Sequence, residues 1–146
     1  MRKYEIKGRV TETKQLNLNA VKECIRELQW RWYRNMLRKY FPIALWSYGI
    51  PNVANIMQIT ASFAADLQRR TLLEALTGKT PDISQYLDFG FYDRIWFKED
   101  VGLGENKLGI FLGVSHHTGS LMSYWVFPAC GIPMSRTTVQ RVTNLE

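Results

Sequence analysis

The sequence predicts an α+β chain, helical first and β-rich last, and three patterns carry that expectation. Apolar residues between Asn19 and Phe41 recur at helical spacing. The stretch from Ile43 to Gly78 is rich in helix formers. From Leu87 onward, short apolar runs alternate with glycine-bearing turns, the pattern of a small antiparallel, barrel-like β-module. The expected division is a mainly helical part over residues 1–85 and a β-module over 86–146. The chain has 146 residues and 46% hydrophobic content, enough for one domain or two small modules sharing a core.

In chain order, KYEIKGRVT over residues 3–11 alternates loosely and reads as a short strand weakened by Gly8. The long helix follows, with Asn19 as its N-cap and Pro42 marking its end. Val21, Ile25, Leu28, Trp32 and Met36 form its apolar stripe, with Cys24 and Tyr40 beside it. After it, Ile43, Leu45, Trp46, Val53, Ile56, Met57 and Ile59 are expected to pack inward. Gly49 and Pro51 predict a kink or break near Ser47 to Asn52. A short helix is expected over Leu67 to Leu76, ended by Gly78, then an irregular link over Lys79 to Tyr86. Four strands follow: one at Arg94 to Phe97, then Leu108 to Ser115, Leu121 to Phe127 and Met134 to Val142. Trp96, Tyr124 and Trp125 are read as barrel core.

Charge is uneven. Residues 1–40 hold 11 Lys/Arg and 4 Asp/Glu, so the whole net charge of +6 arises in the first quarter of the chain. On the helix, Arg26, Arg31, Arg34, Arg38 and Lys39 are interleaved with Trp30 and Tyr33. A basic, aromatic-studded face points to a polyanion such as DNA; the bland alternative is an ordinary solvated face of an amphipathic helix. The two cysteines, Cys24 and Cys130, have no C-x-x-C spacing, which argues against zinc and fits a reducing compartment while leaving a disulfide open. No run of 18 apolar residues and no signal-like h-region are present, so an intracellular chain, in nucleus or cytoplasm and without a membrane partner, is expected.

Several motifs in order resemble the integrase region of LTR retrotransposon polyproteins of the Copia type. Thr71 to Phe97, TLLEALTGKTPDISQYLDFGFYDRIWF, resembles the segment that follows the catalytic core there. Phe111 to Ser115, Gly119, and Ser135, Arg136 and Val139 are similar to the F-L-G-[YV]-S…G…S-R-x-V pattern of the same polyproteins. Upstream, Thr11-Glu12, Asn19 and Ile25 to Leu28 match the spacing of T-E-P-Y-S-P-W-Q-N-x-A-E-x-x-I-R-E-L, and ALWSYGI around Trp46 resembles the next core helix. The resemblance implies the end of an RNase H-like integrase core followed by a β-module of SH3-like kind. It also implies an activity, DNA integration, in which two Asp and one Glu hold two Mg²⁺ ions in a complete member.

This sequence departs from that pattern where the chemistry lies. The two Asp belong upstream of the segment represented here, and the Glu position is Lys22, whose ammonium would repel Mg²⁺. Glu23 substitutes only if the register is shifted, since one residue is a rotation of about 100° on a helix. No cofactor is therefore expected for this chain, and catalysis by it alone is not expected. It reads as a truncated, drifted copy that binds nucleic acid without sequence specificity through Arg26, Arg31, Arg34, Arg38 and Lys39. The alternatives are a protein-interaction or assembly module, with full-length integrase or itself as partner, and a non-functional remnant. His116-His117 reads as a surface turn, the serines lack a G-x-S-x-G context, and Asp82, Asp88, Asp93, Glu99 and Asp100 read as solvated.

Overall fold

The computed structural model describes residues 20–61, 67–98, 104–116 and 122–143. Helix α1 runs Ala20–Lys39 and stops at Tyr40, whose φ of 51° is left-handed, just ahead of Pro42. A single 3₁₀ turn, Ile43–Leu45, leads into α2, Trp46–Ile59. Of the kink or break expected near Ser47 to Asn52, the break is absent. Pro51 lies inside a continuous helix, removing only the amide that would reach the Ser47 carbonyl. The Trp32 indole of α1 lies against Gly49 of α2, where a Cβ would stand 1.7 Å from Trp32 Cζ3, so only glycine lets the indole lie across α2.

The predicted helix at Leu67 to Leu76 is shorter, α3 at Leu72–Thr77. Thr71 caps it by accepting a hydrogen bond from the Glu74 amide (3.0 Å), and Gly78 closes it at φ 71°. Within the expected irregular link lies one more helical turn, α4 at Ser84–Leu87. Ahead of it the Asp82 carboxylate accepts from the Ser84 amide (2.9 Å), which lowers its pKa.

Five antiparallel strands follow: β1 Arg94–Phe97, β2 Lys107–Val114, β3 Tyr124–Pro128, β4 Met134–Arg136 and β5 Val139–Arg141, in the order β4-β3-β2-β1-β5. The single fourth strand expected from the sequence is thus two. Its first half pairs with β3 and its second half with β1, at opposite edges of the sheet. Only Thr137 and Thr138 separate them. Three residue steps span at most about 11 Å, whereas the edges of a flat five-stranded sheet stand about 19 Å apart. The sheet must therefore curl strongly, yet β4 and β5 are not paired with each other, so it is open rather than a closed barrel.

The curl gives the sheet two buried faces. Ile95, Phe97, Phe111, Val114, Tyr124 and Val126 form one core, joined by Met134 from one edge strand and Val139 from the other. Contributions from both edges identify this as the inner face. Alternate residues on β2 and β3 (Ile110, Leu112, Trp125 and Phe127) point the other way, into a second core with Trp32, Phe41, Leu45, Val53 and Phe91. Trp125 therefore belongs to the helix-facing core rather than to the inner one, and Trp96 is only half-buried; Tyr124 does lie in the inner core. Trp32, Phe41 and Phe91 stack edge-on or tilted at 4.8–5.5 Å, tying the helices to the chain beyond residue 85.

The first two turns of α1 do not join this core. Val21 is 66% and Ile25 50% exposed, Cys24 is exposed, and only from Leu28 onward does the stripe pack. Ile43, Trp46 and Ile56 are likewise exposed, whereas Leu45 and Val53 are buried as expected. The strand expected at 3–11 and the N-cap Asn19 lie outside the described residues.

Candidate nucleic-acid interface

Glu27, Arg31, Arg34 and Arg38 are spaced four, three and four residues apart, which places them one above another on one side of α1. With Trp30, Asn35, Val53 and Ile56 they line an open groove of about 350 Å³ between α1 and α2. Arg31 Nε reaches Glu27 Oε1 at 2.6 Å. The Arg34 guanidinium lies 5.1 Å from the centroid of the Trp30 ring, a cation–π geometry. Arg38 takes no hydrogen bond or ion pair among the described residues. Three guanidiniums thus face one carboxylate along the groove, with an exposed indole beside them.

The other two residues of the expected set stand apart. Arg26 lies outside the groove lining and pairs with Glu23 at 3.0 Å. Lys39 is engaged in the fold. Its Nζ donates to Phe91 O (2.9 Å) and to Asp93 Oδ1 (2.5 Å), while Asp93 Oδ2 accepts from the Gly90 amide (2.8 Å). The ammonium therefore fastens the end of α1 to the turn that starts β1.

Lys22 is exposed on α1, the Glu23 carboxylate is held by Arg26, and among the described residues no three His, Cys, Asp or Glu side chains come together. His116 does follow β2 at an exposed position, its Nε2 lying 3.0 Å from Asn55 Nδ2 and 3.4 Å from the Tyr86 hydroxyl. Burial raises the pKa of Tyr86, and burial followed by the Asp88 charge raises that of Tyr124. Among the described residues no helix is long and apolar enough to cross a membrane.

Comparison with protein-family models, with curated proteins and with solved structures found no match.

Sequence reading did not foresee a second concavity, between α2 and β2. Its signals were present but weak: Gly113 inside an apolar strand, and two asparagines, Asn52 and Asn55, in a helix otherwise built for packing.

Proposed function

We propose that this chain is integrase-derived, binds nucleic acid electrostatically without sequence preference, and performs no strand transfer by itself. The observation that carries this reading is the row of Arg31, Arg34 and Arg38 along one groove, opposed by a single carboxylate and flanked by Trp30. Such a row matches a phosphate backbone, and an exposed indole offers a stacking face. Arg26 acts as a peripheral contact, and Lys39 serves mainly the fold. The motif resemblance adds the DNA context, in nucleus or cytoplasm. On the same reading the curled sheet is an SH3-like barrel, supported by its strand order and the two-residue link between its edge strands, and α1 and α2 are the last helices of an RNase H-like core. Mg²⁺ has no part here, because Lys22 stands at the position where the family pattern has Glu.

Fluorescence anisotropy with a labelled random duplex tests the reading. Three neutralised phosphates give a log–log salt slope of about −2.7, a loss of roughly 40-fold between about 50 and 200 mM salt. Changing Arg31, Arg34 and Arg38 together to Glu abolishes binding, while Arg26→Glu weakens it only a few-fold. A folded chain with no affinity at the lowest salt refutes the reading.

A second reading, a protein-assembly module, rests on the exposed apolar side chain of Ile25 on the stripe of α1. Light scattering that shows mass rising with concentration, without DNA affinity, would favour it.

A further inference from the structure

The pocket between α2 and β2 has about 240 Å³, below the usual range for a drug-sized ligand, so it suits a single small group. It exists because β2 is irregular. Phe111 pairs with Val126 and Gly113 with Trp125, which leaves Leu112 as an extra residue. Leu112 turns into the helix-facing core, and Gly113 takes a φ of +120° beneath α2. A Cβ at Gly113 would stand 3.1 Å from Asn52 Oδ1, so the bare backbone leaves the Asn52 amide its room.

Asn52 is 6% exposed, and its side-chain amide has no hydrogen-bond partner among the described residues. Among the described residues the fully buried side-chain nitrogen or oxygen without a partner is Arg136 Nε, so the Asn52 amide still reaches the pocket, where the polar edge of a ligand can take the place of water. Tyr48 and Trp125, in a T-shaped pair at 5.7 Å, wall the same pocket. His116 and Asn55, bonded to each other at 3.0 Å, sit at its edge. Among the described residues its lining carries no Asp, Glu, Lys or Arg, so what those residues offer is amide and aromatic chemistry.

We propose that this pocket receives one unpaired nucleobase, its edge bonded to the Asn52 amide and its face against Trp125 or Tyr48. The inference rests on the nucleic-acid reading above. It assigns the backbone to the arginine groove on one side of α2 and a base to the pocket on the other. An asparagine amide offers a donor and an acceptor side by side, the pattern that pairs with the N6 and N7 edge of adenine. The aromatic wall supplies stacking that every base can use. A glutamine or asparagine side chain of a protein partner would match the amide edge but would leave the aromatic wall without a flat ring.

The test uses the intact chain and three probes: adenosine, a single-stranded oligo(dA), and an abasic oligomer of the same length. NMR follows the Asn52 side-chain amide, the Gly113 amide and the Trp125 indole, and anisotropy follows the oligomers. Adenosine is expected to shift all three resonances. Oligo(dA) is expected to bind about tenfold more tightly than the abasic oligomer. In Asn52→Leu both effects vanish while binding of the abasic oligomer persists, and Asn52→Ala repeats the measurement in case leucine disturbs packing. In the Arg31, Arg34 and Arg38 to Glu variant, oligomer binding is lost while the adenosine shifts remain, which supports the pocket independently of the groove. Failure of the groove reading appears instead as an intact chain that binds no oligomer yet still responds to adenosine. No adenosine shift in a chain that binds the abasic oligomer overturns the pocket alone. So do shifts that survive both Asn52 variants, or equal shifts from N-acetylglutamine amide, which would make the occupant a protein side chain.

Discussion

The two halves of α1 carry the same apolar stripe and meet different fates. From Leu28 to Lys39 the helix is held by Trp32 against Phe41 and Phe91 and by the Lys39 ammonium on the Phe91–Asp93 turn. From Ala20 to Glu27 the stripe continues, but Val21 and Ile25 remain largely exposed. The difference teaches that hydrophobic periodicity specifies a helix and the side it would bury, not the presence of something to bury it against. A cover needs residues elsewhere in the chain, and the aromatic cluster that supplies it sits at one end of α1 only.

Three substitutions probe this contrast. Trp32→Ala removes the indole that lies over Gly49 and between two phenylalanines, and is expected to cost about 3–5 kcal/mol in urea unfolding; a cost below that of an ordinary surface change would break the distinction between the two halves. Lys39→Met removes the clamp while keeping the aliphatic stem. Because the ion pair is partly exposed, the expected loss is only about 1 kcal/mol, and an Asp93→Asn, Lys39→Met double variant should lose little more than either single change, since the partners are the same. Ile25→Ser should change stability by less than about 0.5 kcal/mol. If instead it costs as much as Leu28→Ala, the first two turns are covered in solution and the contrast disappears.

Much of the fold could be read in the residues. The bounds of α1 and the presence of β1, β2 and β3 follow from spacing and from their flanking turns, because those signals are local. The fate of residues 134–142 was not local. Met134 and Val139 both face the inner core, so the alternating pattern is satisfied on each side of Thr137-Thr138. Nothing in it says that one half joins β3 and the other β1. Gly49 and Pro51 misled in the opposite sense as to a break, since tertiary packing can carry a helix through a proline. The arginine row was legible as composition, but which arginines share a groove depended on where α2 came to lie. Arg26 and Lys39 were indistinguishable from the rest until Glu23 and Asp93 were placed beside them.

The split between β4 and β5 also orders events during synthesis. Strand β1 pairs with β2 soon after both are made, but its other neighbour, β5, lies some forty residues further on. At ribosomal rates of about 5–20 residues per second, the outer edge of β1 stays unpaired for roughly 2–8 s after Phe97 is added, plus the time taken to clear the exit tunnel. Once β1 is outside the tunnel, and until β5 follows, the nascent chain presents Ile95 and Phe97 beside a row of free backbone amides and carbonyls, a template for any neighbouring strand. Strand β5, made some forty residues after β1, therefore covers an edge that would otherwise remain open to other strands.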